Sequence, residues 1–232
     1  MASERHSPGH GYELIMFDVG GVLVDYNDAV HFANIAIKVH RETETFCTKA
    51  AELTTLLELR KTTISNAERE LASVFALKPK DVRGVWRHEN KKPIPVRGEM
   101  IGLVRKLSAK GFKIVITSNM SVNDYRTLFG REGLLHKLRR YPIFASCYIG
   151  LAKPNPRYYE YVLNRMQADP GTSVLIDDLT SNVLGAKSIG ITAVHYSNYD
   201  ELETELWRLG ILPNGTDRTA ENSSTKNQEV HL

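Results

Sequence analysis

The chain carries little cysteine. Cys47 and Cys147 are its two thiols, far apart and without metal-ligand spacing. That pattern excludes a disulfide scaffold or a zinc cluster and leaves free thiols in a reducing compartment as the expectation. Long apolar runs are missing too: none approaches the roughly 20 residues that span a bilayer. The first ten residues are polar, contain Pro8 and Gly9, and lack the apolar stretch of a secretory signal. The matches to the glycosylation pattern at Asn214-Gly215-Thr216 and Asn222-Ser223-Ser224 are therefore read as chance. No run of five like charges occurs, and a net charge of +3 over 232 residues supplies no basic arm for nucleic acid. A cytoplasmic protein is expected, monomeric or homodimeric, that binds neither membrane nor nucleic acid.

What is present is an ordinary globular composition, 42% hydrophobic and 25% charged, long enough for one core domain plus an insert. Residues 1–11 read as a loose leader. Glu13 to Phe17 is a short apolar run, and Gly20-Gly21 turns the chain just after Asp18. From Asn27 to about Pro93 the pattern becomes helical. Phe32, Ile35, Ala36 and Val39 make one stripe, and Leu53, Leu56 and Leu57 another. Ser65 to Glu68 reads as a capping box before Leu71, Val74 and Phe75, and Lys78 to Asp81 opens a fourth helix with Val82, Val85 and Trp86. Beyond Pro95, helices alternate with strands. Strands are expected at 112–117, 144–149, 173–177 and 192–196, with helices at 99–110, 122–129, 158–166, 182–189 and 200–209. This alternation predicts an α/β fold, a Rossmann-like three-layer core around a parallel sheet. The organisation expected is a core of 12–26 and 94–212, a helical cap of 27–93 inserted after the first strand, and a disordered polar tail, 213–232.

In such a sheet, ligands bind beyond the carboxyl ends of the strands. Asp18, Thr117-Ser118 and Asp177 each close an apolar strand, and Lys153 lies in the loop after the strand near Phe144. Singly, each has a plain explanation as a turn former, helix cap or solvated lysine. The adjacent carboxylates Asp177-Asp178 are harder to place without a compensating cation. A carboxylate nucleophile, a hydroxyl, a cation and a carboxylate pair make up what phosphoryl transfer with a hard metal ion requires.

The segments around these residues resemble, in order, the four motifs of the haloacid dehalogenase superfamily: Phe17 to Asp25; Thr117-Ser118-Asn119; Gly150 to Pro156; and Val174 to Asn182, with Ala186 and Gly190 behind it. The helical insert resembles the helical caps of that superfamily. The nearest branch is that of glucose-1-phosphate phosphatases and the amino-terminal phosphatase domain of epoxide hydrolases. The resemblance implies a phosphatase acting on a small phosphorylated metabolite, sugar phosphates among the candidates. Asp18 would be the nucleophile and form an aspartyl-phosphate. Ser118, Asn119 and Lys153 would hold the phosphate. Mg²⁺ would sit on Asp18, the Gly20 carbonyl and Asp178, with Asp177 alongside and Asn182 orienting Asp178 or Lys153.

One departure stands out. Active phosphatases of this kind usually carry a second Asp two residues after the nucleophile, and here that position is Gly20. General acid–base help is worth roughly 10²–10⁴-fold, and glycine moves no proton. Asp25 is the nearest carboxylate in sequence, but a turn or hinge role suits it better. Gly20 keeps a second reading open, a protein that binds a phosphorylated ligand or a partner with little turnover. A metal-free dehalogenase is disfavoured by the Asp177-Asp178 pair. A phosphoacceptor receiver domain would carry its acidic pair near the first strand and no insert. Arg60, Lys61, Trp86, Arg87 and His88 are candidates to face the site from the cap, although a solvated helix face accounts for them equally well.

Overall fold

The run Leu14–Phe17 is apolar at every position, so as a strand it buries both faces, and all four side chains are inaccessible to solvent. This strand, β1, is the centre of a five-stranded parallel sheet. The computed structural model describes residues 11–86 and 94–213. The remaining strands are β2 (Lys113–Ser118), β3 (Ile143–Ala145), β4 (Ser173–Asp177) and β5 (Thr192–His195), in the spatial order β3-β2-β1-β4-β5. The register aligns Phe17 with Ile116 on one side and with Ile176 on the other. Asp18, Ser118 and Asp177 therefore emerge together along one rim.

Among the described residues, four helices follow β1 before the chain returns to the sheet: α1 (Asp28–Lys38), α2 (Thr43–Glu58), α3 (Ile64–Val74) and the short α4 (Pro79–Val82). They gather around a cluster of their own, with Phe32, Phe46, Leu53, Leu71, Val82 and Trp86 buried in it. The chain leaves the sheet and returns to it along paired segments. Val24 bridges Val96, Asp25 N–H donates to Pro95 O at 2.8 Å, and Arg97 N–H donates to Leu23 O at 3.0 Å.

The period-two alternation of β1 sorts its side chains into two layers. Ile15 and Phe17 pack with α5 (Gly98–Ala109), α6 (Val122–Phe129) and, past α7 to α9, α10 (Tyr199–Arg208). Leu14 and Met16 pack against α8 (Pro156–Met166) and α9 (Thr180–Lys187), where Tyr158 and Tyr159 are fully buried. Each such large apolar side chain contributes about 1.5–3 kcal/mol relative to exposure. The result is the three-layer α/β core expected.

Three local expectations are corrected. The strand expected over 144–149 ends at Ala145, and Ser146–Ile149 forms a one-turn helix, α7. There the Ser146 hydroxyl accepts from Met120 N–H at 3.0 Å, tying the turn to the loop after β2. The third helix opens two residues before Ser65: Thr63 is its cap, its hydroxyl accepting from Asn66 N–H at 3.3 Å. Val74, expected on the inner face with Leu71, is exposed: the buried face is centred on Ala67, Glu68, Leu71 and Ala72, and Val74 lies at its edge. The expectations of a loose leader and of a disordered tail, and the candidates Arg87 and His88, fall almost wholly or wholly outside the described residues. No described helix is long and apolar enough to cross a membrane.

Candidate active site

β1, β2 and β4 end in residues that converge on one ammonium group. Lys153 Nζ donates to Asp18 Oδ1 at 2.7 Å and to Asp177 Oδ2 at 2.5 Å, and all three side chains are buried. Thr117 O lies 3.5 Å from the same nitrogen. The backbone of Lys153 is fixed by Asn119, whose side chain donates to Lys153 O at 2.8 Å and accepts from Lys153 N–H at 2.9 Å. Asn119 thus acts on the lysine's loop. Asn182, the first inward residue of α9, donates to both oxygens of Asp177, at 2.9 and 3.1 Å, and Leu179 N–H adds a third bond at 2.9 Å. This differs from the expected target of Asn182. It orients Asp177, and reaches Lys153 only through that carboxylate, because it lies one helical turn beyond the end of β4.

Asp178 is the less encumbered half of the acidic pair. It is half-buried and projects toward Gly21, where a Cβ would lie 2.1 Å from Asp178 Oδ2. Gly21 also has φ +70°, a conformation that favours glycine. Gly20 is different: its nearest non-neighbour to an added Cβ is Tyr26 O, at 3.7 Å. Asp18, Asp177 and Asp178 each offer an oxygen within 4.8 Å of the others. Three carboxylates around one ammonium leave an excess of negative charge, and every donor is a hard oxygen, so the set fits a divalent cation such as Mg²⁺.

The electrostatics follow from that excess. Burial pushes the Asp18 carboxyl up to about 7, against the pull of Lys153 and with Asp177 adding to the rise. Burial and Asp177 likewise raise Asp178. Burial works against the charge of Lys153, but Asp177 and Asp18 outweigh it and hold the ammonium well above its usual range. The ammonium stays charged among these carboxylates.

Ser118 ends β2 with its side chain buried, and its hydroxyl makes only a long 3.4 Å contact to Asn119 O. It lines a cavity of about 600 Å³ shared by Asp18, Lys153 and Asp178 on one side and by α1, α2 and Trp86 on the other. Of the cap candidates, Trp86 lines this cavity, and Arg60 and Lys61 do not. Asp25 also stays outside it, paired with Arg97 at 2.9 Å where the two connecting segments run together. Both cysteines are free thiols.

Sequence reasoning read Gly21 as a turn former without its second role, and missed two further residues of this region. Gly21 clears the space for Asp178. Gly185 lets α9 approach the Lys153 loop: a Cβ there would meet Pro154 O at 2.3 Å. A glycine inside a helix was the available signal. Glu58, which α2 contributes to the cavity wall, carried no signal, since it reads as the polar end of an amphipathic helix.

A family model for haloacid dehalogenase-like hydrolases matches residues 12–190. A sesquiterpene phosphatase of Aspergillus oryzae is 25% identical over 193 residues, covering 81% of this chain and 91% of that protein. Acyl-CoA dehydrogenase family member 10 of Mus musculus is 26% identical over 233 residues, covering 89% of this chain, which spans only 20% of that protein's length. Among solved structures, a haloacid dehalogenase family enzyme of Bacteroides thetaiotaomicron superposes with a TM-score of 0.63 at 19% identity, covering 83% of this chain and 98% of that one. The same enzyme in complex with magnesium and inorganic phosphate gives 0.59 at 17%, covering 82% and 98%. At that identity the likeness speaks for the fold. With the family model matching most of the chain, this protein belongs to the haloacid dehalogenase-like hydrolase family.

Proposed function

We propose that the protein is a Mg²⁺-dependent phosphoric monoester hydrolase that takes the phosphoryl group onto Asp18. The observation that carries this reading is the buried Asp18–Lys153–Asp177 network, with Asp178 within ligand distance, lining one cavity with the inserted helices. Asp18 Oδ1 is held by Lys153, which leaves the second carboxylate oxygen for attack on phosphorus. Ser118 donates to a phosphoryl oxygen, and Lys153 neutralises the charge that develops there. Asp18, Asp178 and the Gly20 carbonyl would hold the metal, and Asp177, already bonded to Lys153, Asn182 and Leu179, supports them from behind. Bound Mg²⁺ supplies positive charge against the transferring phosphoryl group.

The substrate reading is a small phosphorylated metabolite. Phe32, Ala51, Trp86, Met120 and Leu128 on the cavity wall favour a leaving group with apolar surface over a bare sugar. The name of the Aspergillus oryzae relative is in keeping with that. The cavity is built from one chain, so a monomer or a homodimer suffices. A screen of phosphorylated metabolites with Mg²⁺, reading phosphate release, tests the proposal. Gly20 is the observation behind the rival reading of a low-turnover binding protein. Release of phosphate from a generic aryl phosphate would reject it, and tight binding of phosphate esters without release would favour it.

A further inference from the structure

We propose that Glu58, the last residue of α2, is the proton donor and acceptor of this site, doing from the cap side what Gly20 cannot do from the core. The inference rests on the phosphatase reading above.

Position comes first. Glu58 lines the same cavity as Asp18, Ser118, Lys153 and Asp178. It projects from the inserted helices, whereas Asp18 stands on the sheet rim. Displacement at phosphorus places the leaving oxygen roughly in line with the nucleophile and on the far side from it. With Asp18 on the floor, the far side is the insert.

Availability singles Glu58 out among the other acids of the cavity wall. Asp28 accepts from the Tyr26 hydroxyl at 2.7 Å. Asp124 accepts from the Ser121 hydroxyl at 2.7 Å as part of the cap of α6. Asp178 belongs to the carboxylate cluster. Glu58 forms no hydrogen bond or ion pair with any described residue. A half-buried carboxyl with no partner inside a cavity is a group left for a ligand.

The electrostatic setting suits the task. Burial pushes the Glu58 carboxyl up to about 8, Asp28 from α1, Asp124 from α6 and Asp18 from β1 add to the rise, and Lys153 opposes it. Cys147 on α7 feels both Glu58 and Arg60, which puts Arg60 in the same neighbourhood. Glu58 is thus protonated at neutral pH before substrate binds.

The steps balance as follows. An Asp18 oxygen forms its bond to phosphorus while the bond from phosphorus to the leaving oxygen breaks. The Glu58 proton passes to that oxygen, and the alcohol departs. Water then attacks phosphorus and gives a proton to the Glu58 carboxylate. The bond between phosphorus and Asp18 breaks, phosphate leaves, and both carboxyl groups return to their starting states.

The test compares wild type with Glu58→Gln in the full chain with Mg²⁺, using nitrophenyl phosphate and alkyl phosphates. Nitrophenolate departs without a proton, so kcat/KM for nitrophenyl phosphate should change little. Its kcat should fall by roughly 10²-fold or more, because hydrolysis of the phosphoenzyme lacks a base. Protein quenched during turnover should then carry the mass of one phosphoryl group. Alkyl phosphates should lose kcat/KM by a similar factor, and the decline of their wild-type kcat/KM above about pH 8 should disappear. Gly20→Asp should restore turnover in Glu58→Gln, since a side chain fits at Gly20. An unchanged melting midpoint identifies the loss as chemical. Wild-type kcat in Glu58→Gln, or an equal loss for both substrate classes without trapped phosphoenzyme, would overturn the assignment. If Asp18→Asn is dead while Glu58→Gln is fully active, the inference fails and the phosphatase reading stands. If wild type neither releases phosphate nor forms a phosphoenzyme, both fail together.

Discussion

Lys153 is a buried cation between two buried carboxylates, and removing one partner of such a group typically costs about 3–5 kcal/mol. The two members of the acidic pair should therefore separate experimentally. Asp177→Ala strips Lys153 of one partner and Asn182 of its acceptor, and should lower stability by on the order of 3 kcal/mol in a urea titration. Asp178→Ala removes a half-buried group that projects toward Gly21, and should leave the urea midpoint nearly unchanged while abolishing tight Mg²⁺ binding in a metal titration. The reverse pattern would mean that Asp177 is the ligand. The adjacent glycines give a second contrast. Gly20→Ala has room, whereas Gly21→Ala places a methyl group against Asp178 at a left-handed φ. Mg²⁺ affinity should drop in Gly21→Ala and hold in Gly20→Ala, and equal affinities would show that Asp178 is not positioned this way. Asp18, Ser118 and Asp177 were legible in the sequence because each closes an apolar run that reads as a buried strand, and Lys153 because it lies in the loop region that follows the strand near Phe144. Gly21 was not, because its constraint is a contact with a residue far along the chain. The target of Asn182 was misjudged for a related reason: the sequence places it near the pair but does not say which carboxylate it faces.

At the level of elements, the site depends on two bodies of packing that meet across the cavity. The inserted helices carry their own core, in which Leu53 is fully buried. Leu53→Ala leaves the sheet untouched and should cost about 2–5 kcal/mol in the cooperative unit that holds α2. Because Glu58 ends that helix, the variant should lose activity on alkyl phosphates more than it loses phosphoenzyme formation from nitrophenyl phosphate. Equal losses would mean that the insert contributes nothing specific to chemistry. Strand and helix alternation was readable because burial on two faces and on one face leaves different periods. The end of β3 was not. Phe144 to Ile149 is mostly apolar and reads as one strand, yet its last four residues coil, with the Ser146 hydroxyl bonded to Met120. The helical insert was readable as helices, but its start positions slipped where Thr63 and Ser65 compete as caps. Glu58 went unnoticed because a carboxylate at the end of an amphipathic helix normally faces water, and what it faces here depends on how the insert lies over the sheet.

For the whole molecule, the central claim is that charge, fold and cavity converge on covalent phosphoryl transfer to Asp18. The register of β1 with β2 and β4 brings residues from three distant segments to one ammonium group, and the carboxylates left over ask for a divalent cation. The most direct measurement is rapid quenching of wild-type protein during turnover of an aryl phosphate with Mg²⁺, followed by mapping of the phosphoryl group by peptide mass. The account predicts one phosphoryl group on the peptide that contains Asp18, none in Asp18→Asn, and none when excess chelator replaces Mg²⁺. A phosphoryl group on any other residue, or undiminished phosphate release by Asp18→Asn or in excess chelator, would contradict it.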